Sequence, residues 1–272
     1  MSVVLDLETD SEVSIDIMDV LGERQAFTQN DVEILLVKVS HPELETQSPS
    51  FDRLIWGRTM LDWVKLGLGG KVTLVDGDGL DKIKSKLTDK PITLVAYSDT
   101  PLLNLDLVGH MLSIVNLNFN KIHNFRRCFM GATKLFKSAT ALPTEIDARF
   151  KNLFNLRMVD DFVSLNQVEE ELQRRIVVSH MKNGVHFLNS KSVQIDVGVK
   201  IGKNVTVGPN IILKGKTTIC DGVVLEMNDI IENGEIGEGV NLTSCVIRNS
   251  KIGKNSLIKP FSVIENGKLK GE

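Results

Sequence analysis

Aromatic residues are scarce in this 272-residue chain: one Tyr, two Trp and eleven Phe make up only 5% of it. A large aromatic core is thereby excluded, and the interior has to come from Val, Ile and Leu, which favours sheet-rich or solenoid architecture. Cysteine is equally sparse. Cys128, Cys220 and Cys245 show no metal-ligand spacing and leave an odd thiol if any two pair. They read as buried small hydrophobes in a reducing cytosol. No apolar run reaches the roughly 18 residues of a membrane-spanning helix. The opening MSVVLDLETDSEV carries acids where a signal peptide carries lysines. Positive charge is not in excess either: 32 Lys and Arg against 35 Asp and Glu give a net charge of −3. That leaves no basic field for nucleic acid. A cytoplasmic protein of one or two domains, without nucleic-acid or membrane partners, is the expectation.

What the sequence has in abundance is a repeat. Ile195, Ile201, Val207, Leu213, Ile219, Leu225 and Ile231 recur in strict six-residue register. A second small or branched residue follows most of them by four positions: Val199, Val205, Ile211, Thr217, Val223. Past Ile231 the series continues through Ile236, Leu242, Ile247, Ile252, Ile258 and Ile264 with one-residue slips. A six-residue period cannot be helical, because the apolar face would wander around a 3.6-residue turn. It fits a coil of three short strands, with Gly and Asn at corners that need left-handed backbone. The pattern resembles the hexapeptide-repeat left-handed β-helix. About four coils are expected between residues 193 and 264, close to the minimum for a stack that supports itself.

Upstream, SLNQVEEELQRRIVVSHMKNGV predicts a helix capped by Ser164 or Asn166 and closed by Gly184. Leu165, Val168, Leu172, Ile176 and His180 trace one of its faces, as an arm between two domains would require. The N-terminal half alternates strand and helix signals: strands over 33–39, 71–75 and 91–99, helices over 59–68, 80–87 and 105–119. Such alternation predicts a layered α/β domain with a mainly parallel sheet and a ligand crevice at the strands' carboxyl ends. Residues 1–30 are acidic and poorly patterned.

Four strings carry a family resemblance. WGRTMLDWV (56–64) resembles the G-K-P-M-L helix start of sugar-phosphate nucleotidyltransferases, and LVAYSDTPLL (94–103) their L-V-x-x-G-D-x-P-L-L strand end. MVDDFVSLNQVEEELQRRI (158–176) resembles the V-N-N-R-x-x-L-A-E-x-E opening of the arm helix. MKNGVHFLNSKSVQIDVGVKIG (181–202) is similar to the passage from arm to β-helix. In this order they resemble the bacterial bifunctional N-acetylglucosamine-1-phosphate uridylyltransferase/glucosamine-1-phosphate acetyltransferase family. The match is dense over 158–264, patchy over 51–140 and absent over 1–30. The resemblance implies a Rossmann-like, nucleotidyltransferase-like α/β domain over 1–163, with 1–30 as an unassigned extension. A helical arm over 164–184 and a left-handed parallel β-helix over 185–272 would follow, with homotrimers assembled through the β-helix.

The resemblance also implies a site. In the family, Mg²⁺ bridging the sugar-nucleotide phosphates is held by the Asp of G-D-x-P-L and an Asn of V-N-N-R; the matching positions are Asp99 and Asp160. Two carboxylates suit a hard cation. Thr100 beside Asp99 would face the ligand, and Arg53 and Arg58 would supply positive charge for phosphate. Other parts depart from the pattern. Where the family has a glycine-rich phosphate loop, this chain reads SHPELETQSPS (40–50), without glycine and with Glu43 and Glu45. The uracil-reading Q-x-x-G-T has no counterpart. No histidine follows His186, and the chain stops near where the family's acetyltransferase portion begins, so acetyl transfer is not expected. His41, His110, His123, His180 and His186 show no metal spacing, and Arg126 and Arg127 read as a solvated strand end. The expectation is a catalytically degenerate relative that binds a sugar nucleotide or serves as an oligomeric scaffold. The alternative is an active sugar-1-phosphate uridylyltransferase with its phosphate loop rebuilt from residues 40–58.

Overall fold

The structure is a computed structural model and describes residues 27–271; most of the acidic 1–30 extension lies outside the described residues. Strand β1 (Val32–Lys38) is followed by a short hairpin, β2 (Leu54–Ile55) and β3 (Arg58–Thr59), and by helix α1 (Met60–Gly67). Then come β4 (Thr73–Asp76), α2 (Leu80–Lys84), β5 (Ile92–Tyr97), α3 (Leu105–Leu117), β6 (His123–Asn124), β7 (Cys128–Ala132) and α4 (Thr133–Ser138). One five-stranded sheet has the order β4-β1-β5-β7-β6. Its β1, β4 and β5 run parallel, while β7 pairs antiparallel with β5 and β6 antiparallel with β7. The sheet thus keeps the expected Rossmann-like parallel core of β4, β1 and β5, with β7 and β6 added antiparallel on one side. A tight Phe125–Cys128 turn, closed by the Phe125 amide on the Cys128 carbonyl at 2.7 Å, sends β7 back beside β6 without a crossover helix.

Burial on both faces explains why the strands read as continuous apolar runs. All six residues of β5 are buried. Side chains alternate as strand geometry demands: Leu36, Leu94 and Ala96 pack with Val64, Val108 and Met111 on one side. On the other side, Leu35, Val37, Val95 and Tyr97 meet Ile83 and Phe136.

Helix α5 (Phe162–Lys182) is the arm. Its N-cap is Asp161, which accepts from the Ser164 amide at 2.6 Å, and Ser164 is its capping-box partner rather than the cap itself. Leu165, Val168, Leu172 and Ile176 are buried along its inner face. They join one continuous core with Ile55, Met60 and Trp63 from the hairpin region and with the aliphatic interior of the β-helix.

The β-helix stacks three parallel sheets of five, five and four strands, the four-stranded sheet being extended by a bridge from Asn241 to Leu257. That makes five coils, one more than the repeat length suggested, because the 186–187 strand already pairs with the 206–207 strand. Ile195, Val207, Leu213, Ile219, Leu225 and Ile231 are all buried, as are Val199, Val205, Ile211, Thr217 and Val223. The one-residue slips are coil contractions. Corner asparagines Asn210 and Asn228, 18 residues apart, hydrogen-bond to each other, and so do Asn233 and Asn249, only 16 apart. All four hold left-handed backbone, with φ between 46° and 58°, a region that asparagine tolerates better than most residues.

Candidate functional site

The carboxyl ends of β1 and β5, where the sequence places a ligand crevice, are organised around Asp99. Strand β5 ends at Tyr97; the Ser98 amide donates to the Val37 carbonyl at 2.9 Å, and the chain then turns inward, leaving Asp99 fully buried. Arg127 comes from the β6–β7 turn, where Arg126 adopts φ 73° and so lets its neighbour reach across the sheet end. The Arg127 Nη2 donates to Asp99 Oδ2 at 2.7 Å, and its Nε donates to Oδ2 at 3.0 Å and to Oδ1 at 3.2 Å. His41 Nε2 lies 2.9 Å from the same Oδ2. The guanidinium also stacks over the Tyr97 ring at 4.0 Å. Burial works against its charge, but the hydrogen bonds it donates to the Asp99 carboxylate and the attraction of that charge more than offset this and raise its pKa.

Two neighbours are shaped by the same burial. The Tyr97 phenol, donating to Asp78 at 3.2 Å, is pushed well above its ordinary pKa by desolvation and then by the Asp78 charge. The Cys128 thiol is also pushed up by burial and is no nucleophile.

The loop after β1 closes on itself. The Ser50 amide donates to Ser40 Oγ at 2.8 Å, the His41 amide donates to Ser50 Oγ at 3.0 Å, and Leu44 is buried beneath. Its amides thus serve serine hydroxyls, whereas a phosphate cradle turns them outward.

The remaining expected site residues are dispersed. Thr100 is buried, and its hydroxyl donates to the Tyr97 carbonyl at 2.8 Å. Arg53 donates to the Leu44 carbonyl at 3.3 Å and stacks over Phe162 at 5.2 Å. Arg58, on β3, faces the β-helix across a groove that also takes in Asp196 and Lys216. The backbone does bring Asp160 near Asp99, because the Val159 amide donates to the Asp99 carbonyl at 2.8 Å. The two carboxylates nevertheless serve different partners: Asp160 accepts from Ser164 Oγ at 3.2 Å.

These residues do not fit a divalent cation. A permanent guanidinium already neutralises Asp99 at hydrogen-bond distance. Among the described residues, moreover, no group of three or more His, Cys, Asp or Glu side chains is placed to hold a metal. Arg127 and His41 are the functional residues that sequence reasoning passed over. Nothing in FRRCF or SHPE marks them out, because their partner lies 28 residues away for Arg127 and 58 for His41.

The architecture is thus a Rossmann-like α/β unit joined by a capped helical arm to a β-helix of hexapeptide repeats. No family model matches the chain. Among curated proteins it is 38% identical over 106 residues to the Bifunctional protein GlmU of Clostridioides difficile strain 630, covering 39% of this chain and 23% of that protein. The Bifunctional protein GlmU of Listeria monocytogenes strain HCC23 matches at 38% over 104 residues, covering 38% of this chain and 23% of its own length. That of Clostridium beijerinckii matches at 38% over 106 residues, with coverage of 39% and 23%. The chain is thus a divergent relative of the GlmU proteins, and the matched region spans about a quarter of their length. No helix among the described residues is long and apolar enough to cross a membrane.

Proposed function

We propose that this protein is a catalytically degenerate relative of the uridylyltransferases, acting as an oligomeric scaffold whose former nucleotide crevice is held shut. One observation carries this reading: the Asp99 carboxylate, which the resemblance assigns to Mg²⁺, is bound instead by Arg127 and His41. Phosphoryl and nucleotidyl transfer depend on positioned positive charge, whether metal or side chain, at the phosphates. The serine-closed loop, with Arg53 held on the Leu44 carbonyl and Arg58 placed beside the β-helix, leaves Arg127 as the arginine beside Asp99, and its charge is already taken up by the carboxylate. A pyrophosphate-release assay with UTP, CTP and GTP, each paired with sugar 1-phosphates and Mg²⁺, tests the reading. Silence across the panel is expected. Release that disappears in Asp99→Ala would establish the alternative, an active uridylyltransferase with a rebuilt loop. Calorimetry with UDP-N-acetylglucosamine and Mg²⁺ then separates sugar-nucleotide binding from a purely structural role, for which no heat at millimolar ligand is expected.

The surface of the β-helix supports assembly as a homotrimer. Ile212, Ile230, Val246 and Val263 stand in register on the outer side of one sheet. The last of these is 66% exposed. A second sheet presents Lys200, Thr218, Glu235, Lys251 and Lys268 at equivalent outward positions. An aliphatic column of this kind is suited to burial around a threefold axis, whereas the charged face is suited to water.

A further inference from the structure

Away from the closed crevice, the turn between β2 and β3 docks on the β-helix. The Val197 amide donates to the Trp56 carbonyl at 3.0 Å. Gly57, at φ 81°, comes so close that an added Cβ would sit 3.0 Å from the Asp196 side chain. Beside this contact lies an open groove of about 670 Å³, lined from the hairpin side by Arg58 and Asp62 and from the β-helix side by Asp196, Lys216 and Asn233.

The polar groups of this groove are unevenly employed. Asp62 accepts from Lys65 at 3.2 Å, and Asp196 Oδ2 accepts from the Gly215 amide at 2.8 Å. The side-chain oxygen of Asn233 accepts from the Lys216 amide at 3.0 Å, which fixes the backbone that carries Lys216. The cations have no such employment. Arg58 Nε is buried without a hydrogen-bond partner, although the Arg58 charge is felt by the Asp62 carboxylate. Every carboxylate nearby already has a partner, and Lys216 stands exposed on the opposite wall.

We propose that this groove binds a small phosphomonoester of a polyhydroxylated compound. The Arg58 fork and the Lys216 ammonium would hold the dianion, one from each wall, and the second oxygens of Asp62 and Asp196 would accept from hydroxyls. Because its two cations belong to different parts of the fold, the ligand ties the hairpin to the β-helix. The site is independent of the Asp99 crevice and stands or falls separately from the scaffold reading.

The test is calorimetric titration of the full chain with inorganic phosphate, glucose 6-phosphate and glucose at constant ionic strength, with the melting temperature followed in parallel. Glucose 6-phosphate is expected to bind more tightly than phosphate, and glucose not at all. Arg58→Gln and Lys216→Gln are each expected to weaken binding by about tenfold. Arg149→Gln, which removes a cation already paired with Asp147 at 2.8 Å, is expected to leave it unchanged. No saturable binding of either phosphate overturns the proposal, and so does binding that survives Lys216→Gln intact. Lys216 is exposed and its replacement spares the fold, so the second outcome stays decisive even if Arg58→Gln destabilises the hairpin.

Discussion

Arg127 grips Asp99 through two of its nitrogens, at 2.7 Å for the closest contact, across the end of the central sheet. The carboxylate is fully buried, and the Arg127 side chain is only 24% exposed. Taking two charges out of water is costly, and their attraction offsets that cost only while both remain. Replacing Arg127 by Met therefore leaves Asp99 buried with His41 alone. Destabilisation by about 3–5 kcal/mol in urea unfolding is expected. The double variant Arg127→Met with Asp99→Asn should recover much of that loss, because the uncompensated charge is gone. Additive losses in the cycle would show that the pair does not act as a unit.

Inside the β-helix, Asp229 occupies a column otherwise filled by residues such as Val193, Ile211 and Cys245. One oxygen accepts from the Cys245 amide at 2.8 Å, and the other is buried without a partner. Burial pushes its pKa up from 3.8 to about 6. The folded state thus holds the proton more tightly than the unfolded chain does. Its contribution to stability is full below pH 3.8 and is lost as pH rises through about 6. Asp229→Asn keeps an acceptor for the Cys245 amide and cannot ionise. Its melting temperature should gain on the wild type between pH 4 and pH 7, and a gap that stays constant with pH would count against the assignment.

The outward aliphatic column predicts an assembly defect. Ile230→Lys places a charge midway along Ile212, Ile230, Val246 and Val263, and light scattering should show the proposed trimer for the wild type and a monomer for the variant, with the β-helix still folded. Thr218→Lys, between Lys200 and Glu235 on the charged sheet, should leave the trimer intact. Equal behaviour of the two variants would place the interface elsewhere.

Much of this fold is written in local pattern. The six-residue register names nearly every buried residue of the β-helix, because each coil repeats the same three-sided geometry and Asn marks its corners. The strands β1 and β5 are equally legible as apolar runs. The antiparallel edge added by β7 and β6 was not, since its direction is set by the four-residue turn at Phe125–Cys128 and not by the composition of β7. Nor was the lock on Asp99. A charge pair between a strand end and a distant hairpin turn has no periodicity, so Arg127 looks like any solvated arginine until the sheet order brings it over β5. Asp160 illustrates the reverse: its backbone lies beside that of Asp99, yet its side chain is taken up by Ser164 at the start of the arm.

The claim that the crevice is held shut by the chain's own cation is tested most directly by metal binding. Mn²⁺ titrated into the full chain, with and without UDP-N-acetylglucosamine, can be followed by the paramagnetic resonance signal of the free ion. With Asp99 already bound to Arg127, the free-ion signal should rise in step with added metal up to millimolar protein. Stoichiometric loss of that signal, abolished by Asp99→Asn, would contradict the account.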